Sequence, residues 1–188
     1  MKRPKILAFG GSLRAASFNQ KLATIAADHA RVAGADVTLI SLRDFPLPLF
    51  DEDLEAAHGM PVEAVRLKAC FADHDGLIIA SPEYNSTISA ALKNAIDWVS
   101  RATEPNEPPL SVLKGKNAAI MAASPGSYGG SRGLIQLRLF LVNIGISVLP
   151  EQVTVAKAHE AFDAGGGLLD ASLDQKIAEV MQDLVKSL

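Results

Sequence analysis

The chain has 188 residues, of which 48% are hydrophobic and 21% charged, and its formal net charge is −3. This length fits a single domain spanning residues 1–188, and so small a net charge gives no electrostatic basis for nucleic acid binding. No apolar run approaches the roughly 18 residues of a membrane-spanning helix, so we expect no membrane partner either.

Short apolar runs alternate with helical patterns along the chain. Strands are predicted over residues 6–9, 37–41, 76–80, 117–123 and 147–155. Helices are predicted over residues 19–33, 62–73, 89–101, 132–144 and 173–185. This alternation indicates an α/β three-layer sandwich, a five-stranded parallel sheet with helices on both faces. We predict the flavodoxin-like strand order 2-1-3-4-5, with the ligand beyond the carboxyl ends of the strands, near strands 1 and 3.

The loop after the first strand has the residue types of an anion site. Gly10 and Gly11 permit a tight turn, and four polar side chains follow: Ser12, Arg14, Ser17 and Asn19. Because a helix N-terminus carries unpaired N–H groups and partial positive charge, the loop predicts a site for a terminal monophosphate. It is not a Walker A loop, since Ala15 and Ala16 occupy the Gly-Lys region, and it lacks the spaced glycines of a dinucleotide fingerprint. An ordinary serine cap in a βα turn is the alternative.

The segment 43–60, which follows the second strand, reads as a long loop. It contains the apolar run 45–50 and then the acidic residues 51–53. Such apolar clusters often form small satellite cores beneath loops, so we expect burial in preference to a partner surface.

The loops after the third and fourth strands fall at the same predicted edge of the sheet. In the first of them, Pro82 bends the chain, and Tyr84 and Asn85 supply an aromatic ring and an amide that both donates and accepts. A planar heterocycle needs that combination of an apolar face and polar groups in the plane. The second, 124–131, is glycine-rich, so its backbone N–H groups can approach a ring edge closely. Two ordinary turns are the alternative to a ligand site.

The single cysteine, Cys70, excludes a disulfide within the chain. The apolar run after residues 1–3 is too short for a secretory signal peptide, and together these features predict a cytoplasmic protein. Cys70 lies in a helical pattern with Leu67 and Phe71, which favours a buried structural thiol over a nucleophile.

The four histidines, His29, His58, His74 and His159, lack the spacing of a metal site, so we predict no metal and a solvated side chain at each.

Together, the motifs closely resemble the NADPH-dependent FMN reductase family, which includes quinone, chromate and azo-dye reductases. The resemblance covers nearly the whole chain and lies in these stretches: Gly10-Gly11-Ser12-Leu13-Arg14 with Ser17 and Asn19, Pro82-Glu83-Tyr84-Asn85, Leu92-Lys93-Asn94-Ala95-Ile96-Asp97-Trp98, and Ser124-Pro125-Gly126 with Gly129-Gly130. It implies a flavodoxin-like fold with bound FMN, and NADPH or NADH as the electron donor.

The resemblance also implies roles for particular residues. The FMN phosphate is expected at Ser12, Arg14, Ser17 and Asn19, and the isoalloxazine along Pro82, Glu83, Tyr84 and Asn85. Its other edge is expected at Ser124, Gly126 and Tyr128, with Ser86 near the phosphate or ribityl chain. The chain departs from the family at Ser89 and Ala90, where Pro-Gly is usual. Serine is a good N-cap, so the helix is still expected to start there.

The activity that the resemblance implies is transfer of hydride from NAD(P)H through FMN to quinones or similar acceptors, by exchange at one site. The flavin then carries the chemistry, and we assign no catalytic side chain. An electron carrier without direct NAD(P)H oxidation is the alternative, although carriers tend to be strongly acidic.

The family relationship further implies a homodimer or homotetramer, with Asp97, Trp98 and Arg101 near the interface. From the residues alone, Asp97 and Arg101 read as a local ion pair, and Trp98 as either core or interface.

Overall fold

The computed structural model describes residues 3–188. Its centre is a five-stranded sheet in which every neighbouring pair is parallel, in the order β2-β1-β3-β4-β5. The strands are β1 (Lys5–Gly10), β2 (Asp36–Ser41), β3 (Gly76–Ala80), β4 (Asn117–Ala123) and β5 (Ser147–Val155). The predicted fold class, strand number and strand order are therefore confirmed.

Six α-helices accompany this sheet within the described residues. They are α1 (Phe18–Val32), α2 (Glu52–His58), α3 (Val62–Ala72), α4 (Ala90–Val99), α5 (Ser131–Asn143) and α6 (Ala171–Lys186). Five of them correspond to predicted helices, and α2 does not.

The core lies in two layers because the side chains of a strand alternate between the two faces of the sheet. Ile6 and Ala8 of β1 face α1 and α6 in one layer. Leu7 and Phe9 face α3, α4 and α5 in the other. β3 is buried along its whole length, as expected for a strand covered on both sides.

The segment after β2 is more ordered than a long loop. A 3-10 helix (Leu42–Asp44) follows β2 directly, and α2 begins after Asp51, whose carboxylate accepts the N–H groups of residues 53 and 54. The burial expected for the apolar run 45–50 holds for only part of it. Phe45 is buried, whereas the side chain of Leu49 is 77% exposed.

Of the two places that the sequence leaves open for Trp98, core or interface, the structure shows the core, whereas His74 differs from the solvated side chain that was predicted. Trp98 is fully buried, its indole N–H donates to the Pro48 carbonyl at 2.8 Å, and Phe50 packs edge-on against its ring. It belongs to the core of its own protomer. His74 was expected to be solvated, but it is buried, with Nδ1 2.6 Å from the Cys70 carbonyl oxygen and Nε2 2.8 Å from Thr38 Oγ1.

Cys70 itself is half-buried on α3, and burial raises the pKa of its thiol. It packs against the α3–α4–α5 layer of the core. This environment disfavours the thiolate, in keeping with a structural role.

No helix within residues 3–188 is long and apolar enough to cross a membrane.

Candidate functional site

The site is built at the edge where β1, β3 and β4 end. The register places Gly10 beside Ala80, and Ala80 beside Met121, so β1 and β3 end at one level and β4 continues past it to Ala123. The backbone continues the ladder beyond them, since Gly11 N–H donates to the Ala80 carbonyl at 2.8 Å. The three loops singled out in the sequence therefore leave the sheet side by side, as the switch-point rule for open parallel sheets requires.

The first loop presents two hydroxyls whose hydrogens are free to point outward. Ser17 is the N-cap of α1, and its Oγ accepts from Gln20 N at 3.2 Å. Ser12 Oγ accepts from Arg14 N, also at 3.2 Å. A hydroxyl that accepts one bond still has its own O–H to donate. Both serines are buried, and Ser17 lies at the start of α1, where free N–H donors favour an anion.

Arg14 and Asn19 are the other two polar side chains of this loop, and they differ in the number of hydrogen bonds that they make within the chain. Arg14 makes no ion pair within residues 3–188, and its guanidinium lies 5.8 Å from the centre of the Phe18 ring. Asn19 is buried and bonded twice to Ala123 of β4, which leaves one Nδ2–H hydrogen to offer a ligand.

A small pocket of about 50 Å³ unites the three loops. Its lining contains eight of the residues predicted for the site: Ser12, Arg14, Ser17, Asn19, Pro82, Glu83, Tyr84 and Ser124. Phe18, Ala123 and Pro125 complete the lining. A wider hollow of about 350 Å³ adjoins it, shares Ser12, Arg14 and Tyr84, and extends to Ser89 at the start of α4. These donors, with an exposed tyrosine beside them, suit a phosphate joined to a larger planar group.

The second loop is a tight turn held in an uncommon conformation. Tyr84 and Thr87 exchange backbone hydrogen bonds of 3.0 and 3.1 Å, and the two residues between them have positive φ, 52° for Asn85 and 64° for Ser86. This is the pattern of a type I′ turn, in which glycine usually occupies the second central position. The turn holds the Tyr84 side chain half in solvent at the mouth of the pocket, 50% exposed.

Glu83 binds the second loop to α5. Its Oε2 accepts from Gly133 N at 2.9 Å, so the carboxylate satisfies one of the free N–H groups in the first turn of that helix. A side chain at position 133 would be crowded, since a Cβ there would lie 3.2 Å from Glu83 Cβ and 3.3 Å from the Thr87 carbonyl oxygen. The structure thus gives Glu83, predicted only as a flavin neighbour, a partner inside the chain.

The third loop brings Tyr128 under Arg132, an arginine outside the set of predicted site residues. The Arg132 guanidinium carbon lies 4.4 Å from the centre of the Tyr128 ring, and Nη1 donates to Ser86 Oγ at 3.4 Å. Ser86 therefore faces α5, outside the lining of the small pocket. Gly126, in the same loop as Tyr128, donates its N–H to Ser124 Oγ at 3.4 Å. The one feature of the sequence that points to Arg132 is its position directly after the glycine-rich loop 124–131.

The residues in and just after α4 that are predicted to lie near a subunit interface have partners within the chain. Asp97 pairs with Lys93 at 2.8 Å, so the ion pair expected with Arg101 is wrong. Arg101 instead pairs with Glu55 of α2, at 2.8 Å from Nη2 and 2.9 Å from Nε. A groove of about 600 Å³ lies between the segment 42–48 and the part of α4 that holds Ala91, Asn94 and Ala95. It reaches Leu13 and Ala91, which also line the wider hollow.

Within residues 3–188, no group of three or more His, Cys, Asp or Glu side chains is arranged to hold a metal ion.

Known proteins share this sequence pattern and this fold. The family model described as NADPH-dependent FMN reductase matches residues 4–160. An NAD(P)H-dependent FMN reductase of Pseudomonas aeruginosa is 37% identical over 185 residues, which cover 96% of this chain and 92% of the relative. An NADPH:quinone oxidoreductase of Arabidopsis thaliana is 36% identical over 187 residues, 96% of this chain and 89% of the relative. The structure of FerB, a flavoenzyme NAD(P)H:(acceptor) oxidoreductase of Paracoccus denitrificans, superposes with a TM-score of 0.78. It is 29% identical, and the match covers 97% of this chain and 96% of that one.

Proposed function

Because the chain belongs to the NADPH-dependent FMN reductase family, we propose that it passes hydride from NAD(P)H to a quinone through FMN bound at the three loops. The chain is an oxidoreductase, and its cofactors are FMN and NAD(P)H. The observation that supports binding of FMN at this place is the pocket that residues of all three predicted loops line together. The net reaction is NAD(P)H + quinone + H⁺ → NAD(P)⁺ + hydroquinone, in which two electrons leave the nicotinamide and reduce the quinone.

Four side chains hold the phosphate of FMN in this proposal: Ser12, Arg14, Ser17 and Asn19. The two serine hydroxyls and the remaining Nδ2–H of Asn19 donate to its oxygens. Arg14 contributes the positive charge that offsets a dianion. Hydrogen bonds to charged groups contribute on the order of 1.5–3 kcal/mol each, so this set supplies much of the affinity for the cofactor.

The second and third loops hold the flavin ring. Pro82, Glu83, Tyr84 and Asn85 line one side of it, and Ser124, Gly126 and Tyr128 line the other. Rigidity suits this task, because the ring must be placed accurately for transfer to be fast. The type I′ turn and the bond between Glu83 and Gly133 supply that rigidity.

When bound, FMN supplies the hydride-accepting and hydride-donating chemistry, and the residues of the chain position it. Tyr84 and Tyr128 are 50% and 63% exposed, so both aromatic side chains remain accessible to a planar donor or acceptor. One open face used in turn by both substrates gives an exchange mechanism at a single site.

The first test is anaerobic addition of NADPH to the purified protein reconstituted with FMN. Bleaching of the flavin absorption, followed by its return when a quinone is added, is the expected result. Flavin bands that persist with both NADPH and NADH would contradict direct reduction of the flavin. The electron carrier would then be the remaining interpretation.

Steady-state kinetics tests the one-site exchange separately. Double-reciprocal plots at several fixed quinone concentrations should be parallel. Intersecting lines would show that donor and acceptor are bound together, which contradicts a shared face.

We further propose that the protein works in the cytoplasm and as a homo-oligomer, with Asp97 and Arg101 near the contact. The segment 42–48 and α4 would then face the second subunit beside the groove described above. Sedimentation of the wild type and of a double Asp97→Ala, Arg101→Ala variant tests this, and an unchanged oligomer would place the contact elsewhere.

A further inference from the structure

Ser89 is one of the two residues at which the sequence departs from the motif it otherwise resembles, and both hydrogen-bonding functions of its hydroxyl are used. It is 2% exposed, and its Oγ accepts from Leu92 N at 3.1 Å as the N-cap of α4. The same hydroxyl donates its hydrogen to the Gly11 carbonyl oxygen at 2.5 Å. A cap needs only the acceptor, so the second bond is a separate feature.

The second bond is made to the first residue of the phosphate loop. Gly11 donates its N–H to Ala80 of β3 and accepts from Ser89, so its peptide groups are fixed from two sides. Its Cα also packs closely against α4, since a Cβ on Gly11 would lie 3.1 Å from Leu92 Cβ. Ser12, whose hydroxyl lines the phosphate pocket, is the next residue in the chain.

We propose that Ser89 is a positioning residue for FMN, and that its hydroxyl holds the phosphate loop in the binding conformation before the cofactor arrives. The inference rests on the proposed function of the pocket. Preorganisation raises affinity because the ordering of the loop is completed at folding and is not repeated at binding. Ser89 acts through Gly11 and Ser12 and need not touch the cofactor itself.

The backbone of Ser89 makes proline an informative replacement. Its φ of −71° lies within the range of proline, and its N–H donates to no acceptor within residues 3–188. Ser89→Pro therefore restores the usual residue of the family with little change to the backbone. It removes the hydroxyl, and with it both the bond to Gly11 and the cap bond from Leu92 N.

The experiment measures FMN dissociation constants of the apoprotein by flavin fluorescence, with thermal unfolding of the same samples in the absence of FMN. The variants are Ser89→Ala, Ser89→Pro and Ser89→Thr. The matched control is Ser100→Ala, at the other end of α4, whose hydroxyl donates to the Asp97 carbonyl at 2.6 Å. This variant loses a hydrogen bond of similar length to the one between Ser89 and Gly11, but the lost bond does not involve the phosphate loop.

We expect Ser89→Ala and Ser89→Pro to weaken FMN binding about 3- to 10-fold, the range for the loss of one hydrogen bond. Ser89→Thr keeps both bonds and should bind within about 2-fold of the wild type, as should Ser100→Ala.

Three results separate the possible failures. Wild-type apoprotein that binds no FMN would overturn the proposed function itself. Wild-type binding with equal dissociation constants in Ser89→Pro and Ser100→Ala would overturn the positioning role and leave Ser89 as a helix cap. If Ser89→Ala fails to fold, Ser89→Pro still decides the matter, because Ser89 already has a φ that proline adopts.

Discussion

The side-chain amide of Asn19 is bonded through both of its polar atoms to a single residue, Ala123, 104 positions along the chain. Nδ2 donates to the Ala123 carbonyl at 2.9 Å, and Oδ1 accepts from Ala123 N at 2.8 Å. The pair fastens the first turn of α1 to the end of β4. Two of the three loops of the site are therefore held together by one buried side chain.

Asn19→Ala should lower the free energy of unfolding by about 3 kcal/mol, because Ala123 would keep a buried N–H and C=O without partners. Urea unfolding of the apoprotein measures this. Asn143→Ala is the matched control, since Asn143 is exposed at the end of α5 and its loss should change stability by at most about 0.5 kcal/mol. Equal losses in the two variants would show that the paired bonds contribute little.

The sequence predicted that Asn19 belongs to the site, but it did not predict this partner. Residue types and spacing describe neighbours along a loop, whereas Ala123 becomes a neighbour only when β4 takes its place in the sheet. The same holds for the pairing of Arg101 with Glu55, since an offset of four residues suggested Asp97 instead.

The strands and long helices were predictable because their apolar periodicity is set by burial on the two faces of the sheet, and their ends differ from the prediction by at most two residues. α2 was missed for the converse reason. It has seven residues, none of them buried, so no apolar period marks it. Its one signal was Asp51, a good cap residue within an acidic run.

Glu83→Ala should destabilise the protein by about 1–2 kcal/mol, because the Gly133 N–H in the first turn of α5 loses its acceptor. Glu83→Gln keeps an acceptor oxygen and loses only the charge, so we expect about half that effect. Thermal unfolding without FMN isolates this contribution from cofactor binding. A larger loss in the glutamine variant than in the alanine variant would contradict the capping role.

Ser86→Gly should make the protein slightly more stable, by about 0.5 kcal/mol, because glycine adopts positive φ without a steric penalty. Ser86→Val should destabilise it by about 1–2 kcal/mol, since a β-branched residue is poorly tolerated there. Ser127→Gly in the next loop is the control. Ser127 does not have positive φ, so glycine there should be neutral or destabilising. If Ser86→Gly lowered the stability of the protein more than Ser127→Gly does, the positive φ of Ser86 would not be a source of strain.

Glu107 confers a pH dependence on the proline-rich connection between α4 and β4. Its Oε1 pairs with Lys68 Nζ at 2.5 Å, and its Oε2 accepts from Thr103 N at 2.7 Å. The hydrogen bonds from Lys68, Ser111 and Thr103 lower the pKa of Glu107 from 4.5 to about 2. Since the pKa in the folded state lies below the ordinary value, the carboxylate contributes stability above pH 4.5, and that contribution is lost as pH falls toward 2.

Glu107→Gln should therefore lower the free energy of unfolding at pH 7 by about 3 kcal/mol, because Lys68 is 5% exposed and loses its counter-ion. The difference from the wild type should shrink as the pH is lowered from 5 toward 2, where the wild-type carboxylate is also protonated. Urea unfolding at several pH values measures both effects. Glu104→Gln, an exposed neighbour with no ion pair to any residue from 3 to 188, should leave the slope unchanged. A constant difference between Glu107→Gln and the wild type at every pH would contradict the lowered pKa and assign the loss to packing alone.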